Sequence, residues 1–463
     1  MTIPGGRSQR VEFSREVALV LETQISLARE GMVTEAVRTV AEQEGLAPEE
    51  LAQLVADGKA VVLAAKKPGG NPVGIGERLR VKVNANLGIS SSRPDIQQEL
   101  EKLRVAERAG ADTVMDLSTG PVELVAEARR RILEASSVPV GTVPVYEAAM
   151  RAIANRGAVV KMTIEDLFRC IEDHAASGVA FVTVHCGLTS RALEALRRVG
   201  RVASVVSRGG AFLVAWMLHN ERENPLYEHY DRLLEVARRY DLILSLGDGM
   251  RPGCLADAGD VPQMQELVVL GELVARAWEY GVQVMVEGPG HVPLDQVAAQ
   301  VAVQKSTCRG APFYVLGPLV TDSALGFDHI ATAIGGAVAA MAGADFLCYV
   351  TPAEHLGLPT LRDVYEGVMA ARVAAHAADL ARRRTSAWQR DLRMARARAA
   401  LDWDQQVSLA LDPERARTLL AERSEVRAGS ECSMCGRYCA LKMVRDYLGG
   451  EREREGAGFS CRG

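Results

Sequence analysis

Short apolar runs rich in β-branched residues alternate with helical stretches through the middle of the chain. Nine runs follow this pattern: residues 81–87, 113–117, 138–145, 180–186, 202–206, 242–246, 282–287, 313–316 and 346–350. Their starts lie mostly about 20–40 residues apart, as expected for βα units. Most runs lack polar alternation, which is typical of strands buried on both faces of a parallel sheet. Eight such units close into a barrel, so we predict an α/β fold, a (β/α)8 barrel, with one run false or outside it.

The flanking regions differ from the barrel. Residues 14–30 and 35–44 carry apolar side chains at helical spacing, and Pro48 is a plausible helix start. A turn-rich linker follows at 66–72. Beyond Pro352 the chain becomes helical and basic before it reaches a cysteine-rich tail. We therefore predict an N-terminal helical region (1–80), the barrel (81–360), a helical extension (361–430) and a cluster-binding tail (431–463).

Composition excludes several classes of partner and compartment. The net charge of −5 is small for 463 residues, and aromatic residues make up only 5 %. Neither value favours nucleic acid or an anionic membrane as a partner. The sequence contains no apolar run long enough to span a bilayer and no apolar signal segment near Met1. Nine cysteines are too sparse for a disulfide scaffold, so we predict a cytoplasmic protein with reduced thiols.

Polar side chains gather where the predicted strands end. Because active sites of such barrels are built at the carboxyl ends of the strands, the shared position of these polar side chains predicts a site there. The residues are Asn86, Asp116, Tyr146, His185, Ser207, Arg208, Asp248, Glu287 and Tyr314.

Two glycine-rich loops add chemistry to that face. Residues 207–210 and 247–253 each combine flexible backbone donors with an arginine, which favours a phosphorylated substrate. The alternative is an ordinary loop with a salt bridge.

His291 and His355 follow two further strands and are candidates to share a metal ion, although two histidines so far apart in sequence are more often unrelated.

Three cysteines fall within eight residues near the C-terminus. Cys432, Cys435 and Cys439 are soft ligands suited to zinc or an iron–sulfur cluster. Three thiolates on a [4Fe–4S] cluster leave one iron open for a small molecule. With Cys461 as a fourth ligand, the same residues would instead form a structural zinc site. The cysteines alone leave both alternatives open.

Longer motifs resemble the phosphomethylpyrimidine synthase family of thiamin biosynthesis, a family of radical S-adenosylmethionine enzymes. Its close paralogues are the 5-hydroxybenzimidazole synthases of anaerobic cobamide biosynthesis. The resemblance covers nearly the whole chain from about Ala28 onward. The motifs are VKVNANLG, DTVMDLSTG, PVGTVPVYEA, TVHCG, VSRGG, SLGDGMRPG, VMVEGPGHVP, APFYVLGPL, LCYVTPAEHLGLP and CSMCGRYCALK.

The resemblance implies a set of cofactors and partners. The three tail cysteines would bind a [4Fe–4S] cluster that reductively cleaves S-adenosylmethionine, with Cys461 as a bystander. His291 and His355 would bind a divalent metal, usually zinc. A low-potential electron donor is required. Family members form homodimers in which the cluster domain reaches the partner's active site, and the sequence leaves open whether a paralogue also takes part.

The resemblance also implies the substrate, 5-aminoimidazole ribonucleotide, and the residues that contact it. Three of these residues, Asp248, Glu287 and His185, are candidates for catalytic roles. The full substrate set is Asn86, Met115, Tyr146, His185, Ser207, Arg208, Gly209, Asp248, Gly249, Met250, Arg251, Glu287 and Tyr314.

Several positions depart from the usual pattern of the pyrimidine synthases: Leu87, Ile89, Met250 and residues 323–327, which include Leu325 and Phe327. Because they lie in strand-end loops, where barrels steer chemistry, we predict a changed outcome on the same substrate, namely 5-hydroxybenzimidazole. The alternative is neutral drift within an enzyme that makes 4-amino-5-hydroxymethyl-2-methylpyrimidine phosphate. A more remote alternative is a non-catalytic, cluster-bearing partner subunit.

Overall fold

The computed structural model describes residues 22–64, 70–423 and 430–448, with side chains through residue 444. The first two strands, β1 (Ala60–Leu63) and β2 (Val73–Gly76), form a small antiparallel hairpin. Eight parallel strands then close into a barrel in the order β10-β3-β4-β5-β6-β7-β8-β9. They are β3 (Lys82–Leu87), β4 (Thr113–Asp116), β5 (Val140–Thr142), β6 (Phe181–Val184), β7 (Ile243–Leu246), β8 (Val284–Gly288), β9 (Phe313–Leu316) and β10 (Phe346–Cys348). The predicted (β/α)8 barrel is confirmed.

Nineteen α-helices accompany these strands in the part of the chain that is described. Three precede the hairpin: α1 (Gln24–Arg29), α2 (Glu35–Glu44) and α3 (Pro48–Ala56). Those between barrel strands are α4 (Ile96–Ala109), α5 (Val122–Ala135), α6 (Pro144–Arg156), α7 (Ile164–Ala176), α8 (Ser190–Val199), α9 (Arg208–Asn220), α10 (Pro225–Glu228), α11 (Tyr230–Tyr240), α12 (Val261–Glu279), α13 (Leu294–Thr307) and α14 (Asp328–Ala342). The last five are α15 (Leu361–Ala381), α16 (Thr385–Ala400), α17 (Trp403–Leu409), α18 (Pro413–Arg423) and α19 (Ala440–Leu448). Within the described ranges, no helix has both the length and the apolar character needed to cross a membrane.

Aromatic side chains fill the interior of the barrel. Phe346 stacks on Tyr314 with ring centroids 4.2 Å apart and meets Phe181 edge-on at 6.3 Å. Gly141 on β5 makes room for this packing, because a Cβ atom there would lie 2.2 Å from the Phe181 ring. Phe181 and Phe346 are fully buried. Packing them together excludes water from this part of the barrel interior.

Three sequence predictions need correction. The run 202–206 is not a strand: it is a loop between α8 and α9, and Val202 is 80 % exposed. The amide of Val202 donates to Asp257 rather than to a neighbouring strand. The strand in 138–145 is only three residues long, because Pro144 begins α6. The N-terminal region is not purely helical, since it contains both strands of the hairpin.

Candidate active site

A cavity of about 260 Å³ opens at the carboxyl ends of the barrel strands. Nine of the thirteen predicted substrate residues line it: Asn86, Met115, Tyr146, His185, Arg208, Asp248, Arg251, Glu287 and Tyr314. They reach the cavity from six different strands or the segments directly after them, and from α6 and α9. The convergence of residues so distant in sequence follows from barrel closure, which brings all the strand ends to one rim.

Two buried carboxyl groups and one guanidinium form the most polar part of the cavity. Arg251 donates from Nη1 to Oδ1 of Asp248 at 3.3 Å. Glu287 accepts from the hydroxyl groups of Thr183 at 2.7 Å and Ser245 at 3.0 Å. Burial raises the pKa of Asp248 well above its ordinary value, and burial also raises the pKa of Glu287. The second oxygen of Asp248, Oδ2, is buried without a hydrogen-bond partner and is therefore available to a ligand.

His185 is a neutral imidazole held by its neighbours. Burial, with a smaller contribution from the positive charge of Arg251, lowers the pKa of His185 to about 3. Its Nε2 lies 3.1 Å from Oγ of Ser207, while Nδ1 is buried without a partner. Gly209 packs directly against the ring, where a Cβ atom would lie 2.2 Å from Cε1. The imidazole therefore has one free nitrogen and a fixed position.

Ser207 contacts Nε2 of His185 and also caps a helix. It is the N-cap of α9, and its Oγ accepts from the amide of Gly210 at 3.2 Å. Its own hydroxyl proton is then free to donate to Nε2 of His185. We infer from this contact that Ser207 donates to Nε2, which places the proton of the neutral ring on Nδ1, where it can be donated to a ligand in the cavity.

Asn86 and Tyr314 belong to a hydrogen-bonded network beside the cavity. The amide nitrogen of Asn86 donates to Sγ of Cys348 at 3.2 Å. The amide nitrogen of Asn84 donates to the hydroxyl of Tyr314 at 2.8 Å and to the side-chain oxygen of Asn86 at 2.9 Å. Burial raises the pKa of Tyr314 well above its ordinary value, so its hydroxyl remains protonated. These contacts fix the polar side chains in place before any ligand binds.

Four predicted substrate residues do not line the cavity. Ser207 and Gly209 support His185 as described, and Gly249 packs against Gly210. Met250 is fully buried in the core. Its backbone amide donates to Glu266 at 2.7 Å.

Glu266, on α12, is a site residue that the sequence analysis missed. Its carboxyl group accepts from the amide of Met250 and so holds the loop that carries Asp248 and Arg251. Burial raises the pKa of Glu266 to about 8. No sequence signal marked it, because a single glutamate within a helix is unremarkable. Thr183, Cys348 and Glu354 also line the cavity and were not predicted; Thr183 and Cys348 could have been found by their positions within predicted strands.

The two predicted metal-binding histidines lie together. The ring centroids of His291 and His355 are 5.5 Å apart. Nδ1 of His291 is 2.7 Å from Asp322, and Nδ1 of His355 is 2.9 Å from Asp328. This leaves Nε2 of each ring for a metal. Across the described ranges, however, no three His, Cys, Asp or Glu side chains converge as a metal-binding group, so a metal here would have two imidazole ligands and open positions.

The three tail cysteines lie on one compact turn. The amide of Gly436 donates to the carbonyl of Cys432 at 3.0 Å, and a short 3-10 helix, Gly436–Tyr438, leads to Cys439 at the start of α19. All three thiols are free, and Cys435 is exposed. Their type and number fit the ligands of a cluster with one open iron. Cys461 lies outside the described residues.

Comparison with known proteins identifies relatives along nearly the entire chain. Residues 23–446 match the radical SAM ThiC family. A phosphomethylpyrimidine synthase of Moorella thermoacetica is 60 % identical over 428 residues, which cover 92 % of this chain and 98 % of that protein. Another, from Desulforamulus reducens, is 58 % identical over 433 residues, which cover 93 % of this chain and 99 % of that protein. A third, from a Thermoanaerobacter species, is 56 % identical over 428 residues, covering 92 % and 98 %.

Proposed function

The chain belongs to the radical SAM ThiC family, and from this membership we propose that it converts 5-aminoimidazole ribonucleotide to 4-amino-5-hydroxymethyl-2-methylpyrimidine phosphate. The observation that carries the proposal is the polar cavity at the barrel mouth, in a chain 60 % identical to a protein named phosphomethylpyrimidine synthase. Membership in the family implies a [4Fe–4S] cluster and S-adenosylmethionine.

The findings favour the pyrimidine product over the 5-hydroxybenzimidazole that the sequence analysis predicted. That prediction depended on altered residues steering the later intermediates. None of Leu87, Ile89, Met250, Leu325 and Phe327 lines the cavity. The first three are buried, with at most 5 % exposed, whereas Leu325 and Phe327 are 55 % and 63 % exposed. Met250, Leu325 and Phe327 are therefore poorly placed to redirect an intermediate held in the cavity, which supports neutral drift. Leu87 and Ile89 line an adjoining pocket that shares Asn86 and Arg208 with the cavity.

Two arginines support binding of the substrate phosphate. Arg208 lies in the first turn of α9, over the ring of Tyr146 at 5.2 Å, and Arg251 lines the same cavity. Guanidinium groups and the amides of a helix N-terminus are both good phosphate ligands. We assign the phosphate to this side of the cavity.

Neutral hydrogen-bonding groups support binding of the aminoimidazole and ribose. Burial raises the pKa of Asp248 and of Glu287, which favours the protonated form of these carboxyl groups, and a protonated carboxyl group can donate to a hydroxyl or a ring nitrogen. Nδ1 of His185 donates as well, and its low pKa prevents the imidazole from taking up a proton near neutral pH. When bound, the cluster and S-adenosylmethionine supply a carbon-centred radical, and the protein's own contribution is to hold the ribose in one orientation and exclude water.

The remaining components are also proposals. We assign the cluster to Cys432, Cys435 and Cys439, and a divalent metal, with zinc as first choice, to His291 and His355. A low-potential reductant and a homodimer complete the proposal. Ring separation supports the metal: two imidazoles on one tetrahedral zinc ion would place their centroids about 5 Å apart, given a zinc–nitrogen distance of about 2.1 Å. The observed separation is 5.5 Å.

An anaerobic assay tests the reaction. The reconstituted protein would receive 5-aminoimidazole ribonucleotide, S-adenosylmethionine and dithionite, with the Cys435→Ala variant as control. The expected result is 5′-deoxyadenosine and a phosphorylated aminopyrimidine identified by mass, neither of which forms with the variant. An unphosphorylated benzimidazole would overturn the product assignment. Absence of 5′-deoxyadenosine from a fully loaded protein would instead indicate a non-catalytic partner subunit.

A further inference from the structure

The loop between β9 and α14 contacts both histidines of the proposed metal site. Asp322 lies in the middle of this loop, and Asp328 follows it as the first residue of α14. Oδ1 of Asp322 is 2.7 Å from Nδ1 of His291, and Oδ1 of Asp328 is 2.9 Å from Nδ1 of His355. We propose that Asp322 and Asp328 are positioning residues that orient the two imidazoles toward a shared divalent cation. The inference rests on the metal site of the proposed function.

Both carboxylates are fixed by contacts of their own. The other oxygen of Asp322 accepts from the amide of Leu255 at 3.0 Å. The other oxygen of Asp328 accepts from the amide of Gly326 at 3.2 Å, and Asp328 is only 3 % exposed in the first turn of α14. A negative charge is stabilised in that turn by the helix dipole. Each carboxylate therefore contacts its imidazole from a defined direction.

A carboxylate at Nδ1 determines the protonation of the ring. The ionised carboxylate only accepts hydrogen bonds, so Nδ1 must carry a proton and donate it. The lone pair of a neutral ring then lies on Nε2, which is the form that binds a metal. Carboxylates that bind the second nitrogen of a metal-bound histidine also make the ring a better ligand. Asp322 would act in this way on His291, and Asp328 on His355.

The local charge also favours a cation. In the residues that the structure describes, each of Asp322 and Asp328 contacts one of these histidines, and no lysine or arginine lies within ion-pair distance of either carboxylate. Two neutral imidazoles backed by two carboxylates leave a charge of about −2, which a divalent ion would balance. A nearby cation would stabilise Asp328 more than Asp322, because a buried carboxylate without a full counter-charge destabilises the fold.

Zinc affinity of the intact chain tests the inference. The protein would be reconstituted with its cluster, stripped of other metals, and titrated with zinc against a chromophoric chelator. The variants Asp322→Asn and Asp328→Asn keep the size of the side chain and remove its charge. The expected result is a tenfold or greater loss of zinc affinity in each, within the range of about 10–100-fold seen when such partners are removed. Affinity for 5-aminoimidazole ribonucleotide should change less than twofold, which a general loss of folding would not allow.

Two controls separate the possible failures. The double variant His291→Ala/His355→Ala measures zinc bound elsewhere, including at cysteines. Asp295→Asn removes a charge from the exposed first turn of α13, four residues from His291, and should leave zinc affinity within twofold of wild type. Wild-type affinity in both aspartate variants would overturn the positioning role while leaving the metal site intact. If wild type and the double-histidine variant bind zinc equally, the metal site itself is wrong, whatever product the enzyme makes.

Discussion

Replacing Ser207 with alanine should weaken substrate binding although Ser207 does not line the cavity. Its hydroxyl accepts from the amide of Gly210 and contacts Nε2 of His185, to which we infer that it donates. The substitution removes both contacts and adds no atom. Without the donor at Nε2, the proton of His185 is no longer confined to Nδ1, so the nitrogen that faces the ligand is a donor in only part of the population.

The size of the effect follows from these two contacts. Loss of a helix N-cap costs about 1 kcal/mol of stability, and a buried acceptor left without its donor costs about 1–3 kcal/mol. The helix cap affects folding alone. The tautomer of His185 also affects binding, by about the net value of one hydrogen bond, roughly 1 kcal/mol, or about a fivefold increase in Kd.

Calorimetric titration with 5-aminoimidazole ribonucleotide measures this Kd. Thr163→Ala is the matched control, because Thr163 is the N-cap of α7 and accepts from the amide of Asp166 at 3.1 Å, without any contact to His185. We expect both variants to lose stability and only Ser207→Ala to lose affinity. Equal Kd values for the two variants would refute the argument that Ser207 determines the tautomer of His185.

Three further predictions concern the cluster, a buried carboxyl group and the altered loop. Anaerobically reconstituted protein should hold about four iron and four sulfide ions per chain. Alanine at any of the three tail cysteines should remove them, whereas Cys461→Ala should not. Zinc in place of iron in the wild-type protein would contradict this prediction. Because the pKa of Glu266 is raised to about 8, the folded state keeps a proton that the unfolded state has lost, so stability should fall as pH rises from about 4.5 to 8. Thermal unfolding at pH 6 and pH 8.5 should show a smaller decrease in Tm for Glu266→Gln than for wild type, and equal decreases would refute the assignment. Changing Leu325 to proline and Phe327 to tyrosine should leave the product unchanged by mass, because neither side chain lines the cavity.

The sequence predicted the barrel well because its signal is local. A buried parallel strand needs a short apolar run, and eight of the nine runs are strands. The run 202–206 has the same composition, yet its amides bind Asp257, a residue more than fifty positions away. Composition does not specify the hydrogen-bond partners of a backbone, so this error could not have been avoided from the pattern alone.

The residues that line the cavity could be predicted for a related reason, whereas the residues that hold them in place could not. Barrel closure guarantees that residues at strand ends meet, so Asn86, Asp248 and Glu287 could be assigned from their positions. Glu266 lies within α12, and Asp322 lies in a loop, where an acidic residue is ordinary. Their roles depend on which amide or imidazole they contact. That information is three-dimensional.

The close contact between Gly209 and the ring of His185 has a consequence for reading mutational tolerance. Any side chain at residue 209 would have to displace the imidazole, since its first carbon would already overlap the ring. In a saturation survey of the gene, this position should therefore reject every substitution as strictly as an active-site acid does, although glycine offers no chemical group. Intolerance of substitution at residue 209 would then look the same as intolerance at a catalytic residue. Only the short distance between a Cβ atom at residue 209 and the ring of His185 shows that the cause is steric.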